Sequence, residues 1–435
     1  MKTTPSTERH PLIDKQYRLP FILLTTLFAL WGFANDITNP MVAAFQTVME
    51  ISAAKASMVQ FAFYGGYATM AVPAALFIRR YSYKSGIMLG LALYAIGAFL
   101  FIPAAQMQMF SFFCASLYIL TFGLAFLETT ANPFVLLLGS RQTATRRLNF
   151  AQSFNPMGSL CGMSVASLIV LPNLLSDRRD AAGHIIFGSL SDAEKADIRL
   201  HDLAVIRDPY VAIGLIVLVM LVVFALTKMP NAGHSKQACS SRETLGRLWH
   251  NREYRWGVVA QVFYVAAQIM VWTFIIQYAD NLGIDKATAQ NYNICAMVLF
   301  LTFRFIGTWS MRYLTASRLL SIFGTLATLT SLGTILIVGY GGLACLVATS
   351  AFMSIMFPSI YGIALDRVAP ADTSLGAAFL VMAIVGGALM PPLQGMIIDC
   401  GTIASMPAVN VSYVLPMLCF IVVACYGFAT ARLKR

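Results

Sequence analysis

Two acidic side chains, Asp36 and Glu128, stand in the middle of apolar runs where hydrocarbon is the expected surrounding. Asp36 lies in WGFANDITNP (residues 31–40) with Asn35, Thr38 and Asn39, and Glu128 lies in GLAFLETTANPF (123–134) with Thr129, Thr130 and Asn132. An ionised carboxylate facing lipid costs several kcal/mol, so both groups are expected to face a bundle interior or a water-filled cavity. Asp36 and Asn39 are three residues apart and share a helix face, with Asn35 close by. The competing reading is a polar group that only bonds a neighbouring helix. That reading suits a lone amide better than a carboxylate flanked by two amides. Two such carboxyls in one half of a chain point to proton handling, because a change of solvent access then moves the proton. Pro40 is expected to break or bend its helix and free backbone carbonyls.

Amides and aromatics recur at helical spacing elsewhere. In RLNFAQSFNPMGS (147–159), Gln152 and Asn155 share a face and offer the donors and acceptors that an array of sugar hydroxyls needs. Amide bonding between helices is an equally open reading for either one alone. In GVVAQVFYVAAQIMVWTFIIQYA (257–279), Gln261, Tyr264 and Gln268 make one stripe, with Trp272 and Gln277 roughly continuing it. Aromatic faces stack on the C–H faces of sugars while polar tips read hydroxyls. Tyr361 and Gln394 are weaker candidates of the same kind. Arg304 is the one basic residue placed within an apolar run; near its end, it is expected to snorkel or to clamp the following loop, a structural or gating role. The glycine pairs at 65–66 and 386–387 suggest close helix approach. Neither a nucleophile–base pair nor a metal-spaced ligand set is evident, so no catalytic residue, metal or cofactor is expected, and an enzyme is disfavoured. The eight cysteines are scattered with no CxxC spacing, which indicates neither a disulfide framework nor a metal site.

The elements that must position these groups follow from composition. Of 435 residues, 58% are hydrophobic and only 11% charged, and mean hydropathy is +0.71. Soluble domains carry roughly a quarter charged residues. The deficit runs the whole length, which makes this a polytopic, all-α membrane protein with the lipid bilayer as its solvent. The polar first 18 residues and the long apolar run after them do not fit a cleavable signal. A span needs about 20 apolar residues. Twelve are predicted, at about 20–45, 57–78, 86–105, 108–138, 148–172, 209–228, 256–279, 289–310, 317–338, 342–365, 374–398 and 408–430. The fourth and fifth exceed what lipid requires, implying tilt or extensions.

An even number of spans puts both termini on one side. That side holds 22 of the 30 Lys and Arg residues, against seven opposite, and one, Arg304, lies within a span. The positive-inside rule therefore places both termini in the cytoplasm. The net charge of +11 reflects this topology and not nucleic-acid binding. The basic segment 229–255 divides the spans six and six. Across it, Arg80, Tyr81 and Ser85 recur as Arg312, Tyr313 and Ser317 at a constant offset, each set between the second and third span of its half. Duplicated six-span halves are the architecture of major facilitator transporters, with substrate bound between the halves near the midplane and access alternated by rocking. The predicted organisation is an N-terminal cytoplasmic segment (1–19), a six-helix bundle (20–228), a cytoplasmic linker (229–255), a pseudo-symmetric second bundle (256–430) and a tail (431–435).

LWGFANDITNP, LETTANPF, RLNFAQSFN, AQVFYVAAQ and FRFIGTW together resemble the fucose permease family of sugar–proton symporters. The resemblance covers nearly all spans. It implies proton-driven import of L-fucose or a related neutral monosaccharide of the glucose and galactose class, across a bacterial inner membrane, by a monomer. It implies that Asp36 and Glu128 carry coupling, with Glu128 matching the family's glutamate directly, and that Gln152 and Asn155 contact sugar. The family carries Asn where this chain has Asp36 and Asp where it has Asn39, an exchange that moves the carboxylate about 4.5–5 Å along the helix axis. The site expected is therefore Asp36 and Glu128 for protons; Asn35, Asn39, Gln152, Asn155, Gln261, Tyr264, Gln268, Trp272 and Tyr361 for the sugar; and Arg304, Arg80 and Arg312 for gating or structure. A multidrug–proton antiporter on the same fold would have a wider cavity with fewer amides. A non-transporting sugar sensor would be expected to carry a long output segment.

Overall fold

The computed structural model describes residues 12–51, 58–178, 186–229, 241–284, 286–398, 400–403 and 405–432. Twelve helical stretches among them are long and apolar enough to cross a membrane, one on each predicted span. They are counted here as the first to the twelfth span. The side that carries both chain ends is the terminal face.

The sixth span departs most from its predicted bounds. Its helix, Asp192–Leu226, runs 35 residues and starts well before residue 209. Ser191 and Glu194 form a reciprocal cap: the Glu194 carboxylate accepts from the Ser191 N–H at 3.0 Å, and the Ser191 hydroxyl oxygen accepts from the Glu194 N–H at 3.5 Å. Buried Asp202 then accepts from the N–H groups of Leu175 and Ser176 at 2.9 and 2.8 Å, tying the connection from the fifth span onto this helix. Hydropathy sees only the lipid-facing part of a helix, so a polar extension read as loop is helical.

The first helix, Arg18–Val48, passes through Pro40 without a break. One missing N–H does not end a long transmembrane helix packed along a neighbour. Prolines do break the fifth and tenth spans. The fifth is helical over Ala144–Gln152 and again over Phe154–Val165. Residue 156 is a proline, so the Gln152 carbonyl lacks its i+4 donor. The tenth is helical over Tyr340–Met353 and Met356–Asp366, where Pro358 leaves the Ser354 carbonyl in the same position.

The first and fifth spans touch backbone to backbone. A Cβ on Gly158 would lie 1.8 Å from the Ala29 carbonyl oxygen, and one on Gly32 would lie 1.9 Å from that of Asn155. This contact brings the Asn35–Asp36 turn beside Gln152 and Asn155. The predicted close approach at 386–387 is also present, with Gly386 against the Val262 backbone of the seventh span. Arg147, fully buried, donates to the carbonyls of Val135, Leu136, Ser140 and Leu12 and so fastens the turn between the fourth and fifth spans.

Two apolar cores result. One gathers the first six spans together with the terminal-face ends of the tenth and eleventh (Tyr361 to Val381), and the other gathers the last six. The helix Ser241–His250, within the predicted linker, is pinned by Arg247, whose Nε and Nη2 donate to the Asp372 carboxylate at 2.8 and 2.7 Å.

Candidate functional site

A central cavity of about 120 Å³ lies between the halves. The first half lines it with Trp31, Asn35, Asp36, Tyr64, Tyr67, Glu128, Gln152, Asn155 and Ser159, and the second with Gln268, Trp272, Phe300, Arg304 and Phe357 among others. The two carboxyl groups predicted from sequence thus share one chamber.

Glu128 is 2% exposed, and its Oε2 has no hydrogen-bond partner among the described residues. Beside it, Gln152 Nε2 donates to Asn132 Oδ1 at 2.7 Å, which orients both amides. Asn155 Nδ2 donates to the Phe28 carbonyl at 3.3 Å. Trp31 Nε1 donates to the Tyr67 hydroxyl at 2.6 Å and holds two aromatic walls together. Across the cavity, Trp272 Nε1 donates to Ser350 Oγ at 3.2 Å, and its ring meets Phe300 edge-on at 5.0 Å. The chamber therefore combines fixed amides, two carboxyls and aromatic faces. That is the inventory for a neutral polyhydroxylated ligand, because hydroxyls both donate and accept while sugar C–H faces are apolar.

Arg304 neither snorkels nor clamps a loop. It is 3% exposed, lines the cavity and spans the two halves. Its Nη1 donates to the Gln152 carbonyl at 2.8 Å and its Nε to the Ser354 carbonyl at 2.6 Å. These are the two carbonyls that Pro156 and Pro358 deprive of a helix donor, one in each half. The Phe300 ring lies against the guanidinium, 4.6 Å from its centre.

Of the seventh-span stripe, only Gln268 and Trp272 reach the cavity. Tyr264 is fully buried and donates to the Met353 carbonyl at 3.2 Å. Gln261 and Tyr361 are fully buried too and are absent from the cavity wall. Helical spacing put Gln261 and Tyr264 on one side of the seventh helix, but tertiary packing turned that side against the tenth span, while Tyr361 of the tenth span packs with the first-half core. The Asn39 side chain lies outside the described residues. Arg80 and Arg312 are exposed on the terminal face, away from the cavity. Sequence reading missed Trp31, Tyr64 and Tyr67. Their signal was spacing: Trp31 stands one turn before Asn35, and the two tyrosines stand three apart beside a glycine pair.

Toward the terminal face the halves close on each other. Asn149 Nδ2 donates to Ser359 Oγ at 3.2 Å, and Thr145 packs directly on Gly362. At the edge, the Arg141 guanidinium pairs with the Asp366 carboxylate at 3.1 Å and also donates to the Asp366 carbonyl.

The Major Facilitator Superfamily model matches residues 22–391. The L-fucose-proton symporter of Haemophilus influenzae is 62% identical over 98% of this chain and 99% of its own length. A glucose/galactose transporter of Brucella abortus is 29% identical over 96% of each chain. The solved structure of the transporter FucP in the outward conformation superposes with a TM-score of 0.87 at 33% identity, covering 96% of this chain and 99% of that one. With a twelve-span fold, a cavity walled by both halves and these relatives, the chain belongs to the Major Facilitator Superfamily, and within it to the family of the L-fucose–proton symporters.

Proposed function

We propose that this protein is a symporter that imports a neutral hexose together with protons by alternating access, and that L-fucose is its substrate. The observation that carries the reading is the shared chamber, in which Asp36 and Glu128 stand among the amides of Asn35, Gln152, Asn155 and Gln268 and the rings of Trp31 and Trp272. The high identity to an L-fucose-proton symporter supports the choice of sugar. The amide-rich wall favours a hydrophilic ligand over the apolar cargo of a multidrug antiporter.

In this reading the closed terminal face is the cytoplasmic one, as the excess of Lys and Arg on that side supports. The membrane is a bacterial inner membrane, and the carrier works as a monomer without bond-making chemistry. Sugar and proton enter the cavity from outside. Glu128 is the proton site coupled to sugar binding, its unpartnered oxygen able to take either a proton or a sugar hydroxyl, and Asp36 assists. Occluding a bare carboxylate in a low-dielectric interior costs several kcal/mol. The loaded, neutralised carrier consequently rocks more readily than the empty charged one.

Purified protein in right-side-out vesicles, given labelled L-fucose, D-galactose or D-glucose under an inward proton gradient, tests this. L-Fucose is expected to accumulate above its equilibrium level and to leak back when a protonophore collapses the gradient. Accumulation of none of the three sugars would refute the proposal.

A further inference from the structure

Beneath the cavity floor, toward the terminal face, lie polar groups with nothing to bond. Both amide atoms of Gln261 and the Tyr361 hydroxyl are buried without a hydrogen-bond partner among the described residues. Helix spacing fixes where they are. Phe357 is part of the cavity wall, and Tyr361 follows it by one turn, its ring stacked on that of Phe357 at 6.3 Å and 20°. On the seventh span, Gly257 packs against Ala364, and Tyr264 reaches Met353 and the Phe357 ring. Gln261 lies between them on the same face, so it stands at the level of Ile360 and Tyr361. From the other half, Glu128 lines the same cavity as Phe357, and its Oε2 is likewise unpartnered. Just on the cavity side of that level, Asn149 Oδ1 has no partner either, and the Asn149–Ser359 contact closes the seam.

Buried polar atoms are normally satisfied, and exceptions grouped at one level of the seventh and tenth spans, with Tyr361 packed among the core residues of the first half, call for a role. The seam lies between the halves on the side that must open when they rock. We infer that Gln261 and Tyr361, with the free oxygen of Glu128 opposite, form a second sugar station on the release path, shut off from the central cavity by Phe357 in this state. It offers hydroxyl donors and acceptors from the amide, the phenol and the carboxyl, and an aromatic face from Tyr361, so its ligand class is the same neutral hexose. Once the terminal face parts, the departing sugar exchanges its central contacts for these before it meets water. Sugar arriving from the terminal face would meet them first. The inference rests on the symport reading above and adds a sidedness that the central site alone does not have.

Sided kinetics test it. Tyr361→Phe and Gln261→Leu, singly and together, are placed in the full-length protein and assayed with labelled L-fucose, D-galactose and D-glucose in right-side-out and inside-out vesicles. For entry from the terminal face the double variant should show a KM raised at least fivefold. For entry from the opposite face KM should stay within twofold of wild type, which also reports that the variant is folded. An equal rise on both faces would assign these residues to the central site, and no change on either face would remove the station; each result overturns the inference. Wild-type protein that carries none of the three sugars would instead refute the symport reading.

Discussion

At the residue scale the decisive feature is that Glu128 and Asp36 share one polar chamber with amides and aromatics. Glu128→Gln preserves the shape and hydrogen-bonding of the side chain and removes its titration. It is expected to abolish accumulation driven by a pH gradient while equilibrium exchange of labelled for unlabelled sugar continues, measured in the same vesicles. Loss of exchange as well would mean that Glu128 serves binding alone. Both carboxyls were legible in the sequence because an ionisable residue in an apolar run has few tolerable positions. The three residues Gln261, Tyr264 and Tyr361 were legible only as polar positions on a helix face. Which neighbour that face meets is a property of packing: for the two seventh-span residues it is the tenth span, and for Tyr361 it is the first-half core.

At the element scale, two proline breaks and one arginine join the halves. Pro156 and Pro358 free the carbonyls of Gln152 and Ser354, and Arg304 donates to both. Arg304→Met leaves both carbonyls without that donor, at about 1–3 kcal/mol for each buried group left unsatisfied, and cuts a buried link between the halves. The terminal face should open more often. In a Thr145→Cys background, whose thiol would lie in the closed seam, labelling by a maleimide applied from the terminal face is expected to speed up several-fold. An unchanged labelling rate would show that Arg304 holds only its own half. The sequence displayed the prolines and the arginine but not their partnership, since residues 152, 304 and 354 are distant along the chain. The early start of the sixth helix was hidden for a different reason: its first turns are polar, and hydropathy carries no signal for a helix in water.

At the scale of the whole molecule, charged contacts on the terminal face differ in what they hold. The Arg141 side chain in the pair with Asp366 is 72% exposed, and such pairs contribute about 1 kcal/mol at most. Asp366→Ala should therefore leave the transport rate within about fivefold of wild type. Arg247 and Asp372 behave differently. Asp372 is 3% exposed and receives two hydrogen bonds that dock the helix Ser241–His250 on the start of the eleventh span. Asp372→Ala is expected to lower stability by about 2 kcal/mol, the scale of hydrogen bonds to a charged group, read as a fall in the thermal midpoint in detergent. Equal effects of the two substitutions on stability would contradict this ranking.

The sequence by itself determined the membrane class, the twelve spans, the side that carries the basic loops and the two acidic centres. Each of these follows from transfer free energy, which is summed residue by residue along the chain and needs no knowledge of neighbours. The tertiary structure alone decided which polar faces meet the cavity, that Arg304 bridges both halves, and that Gln261 and Tyr361 are sealed below the floor. Those depend on contacts between segments far apart in the chain, whose register is set by side-chain packing and by the backbone approach at Gly32 and Gly158.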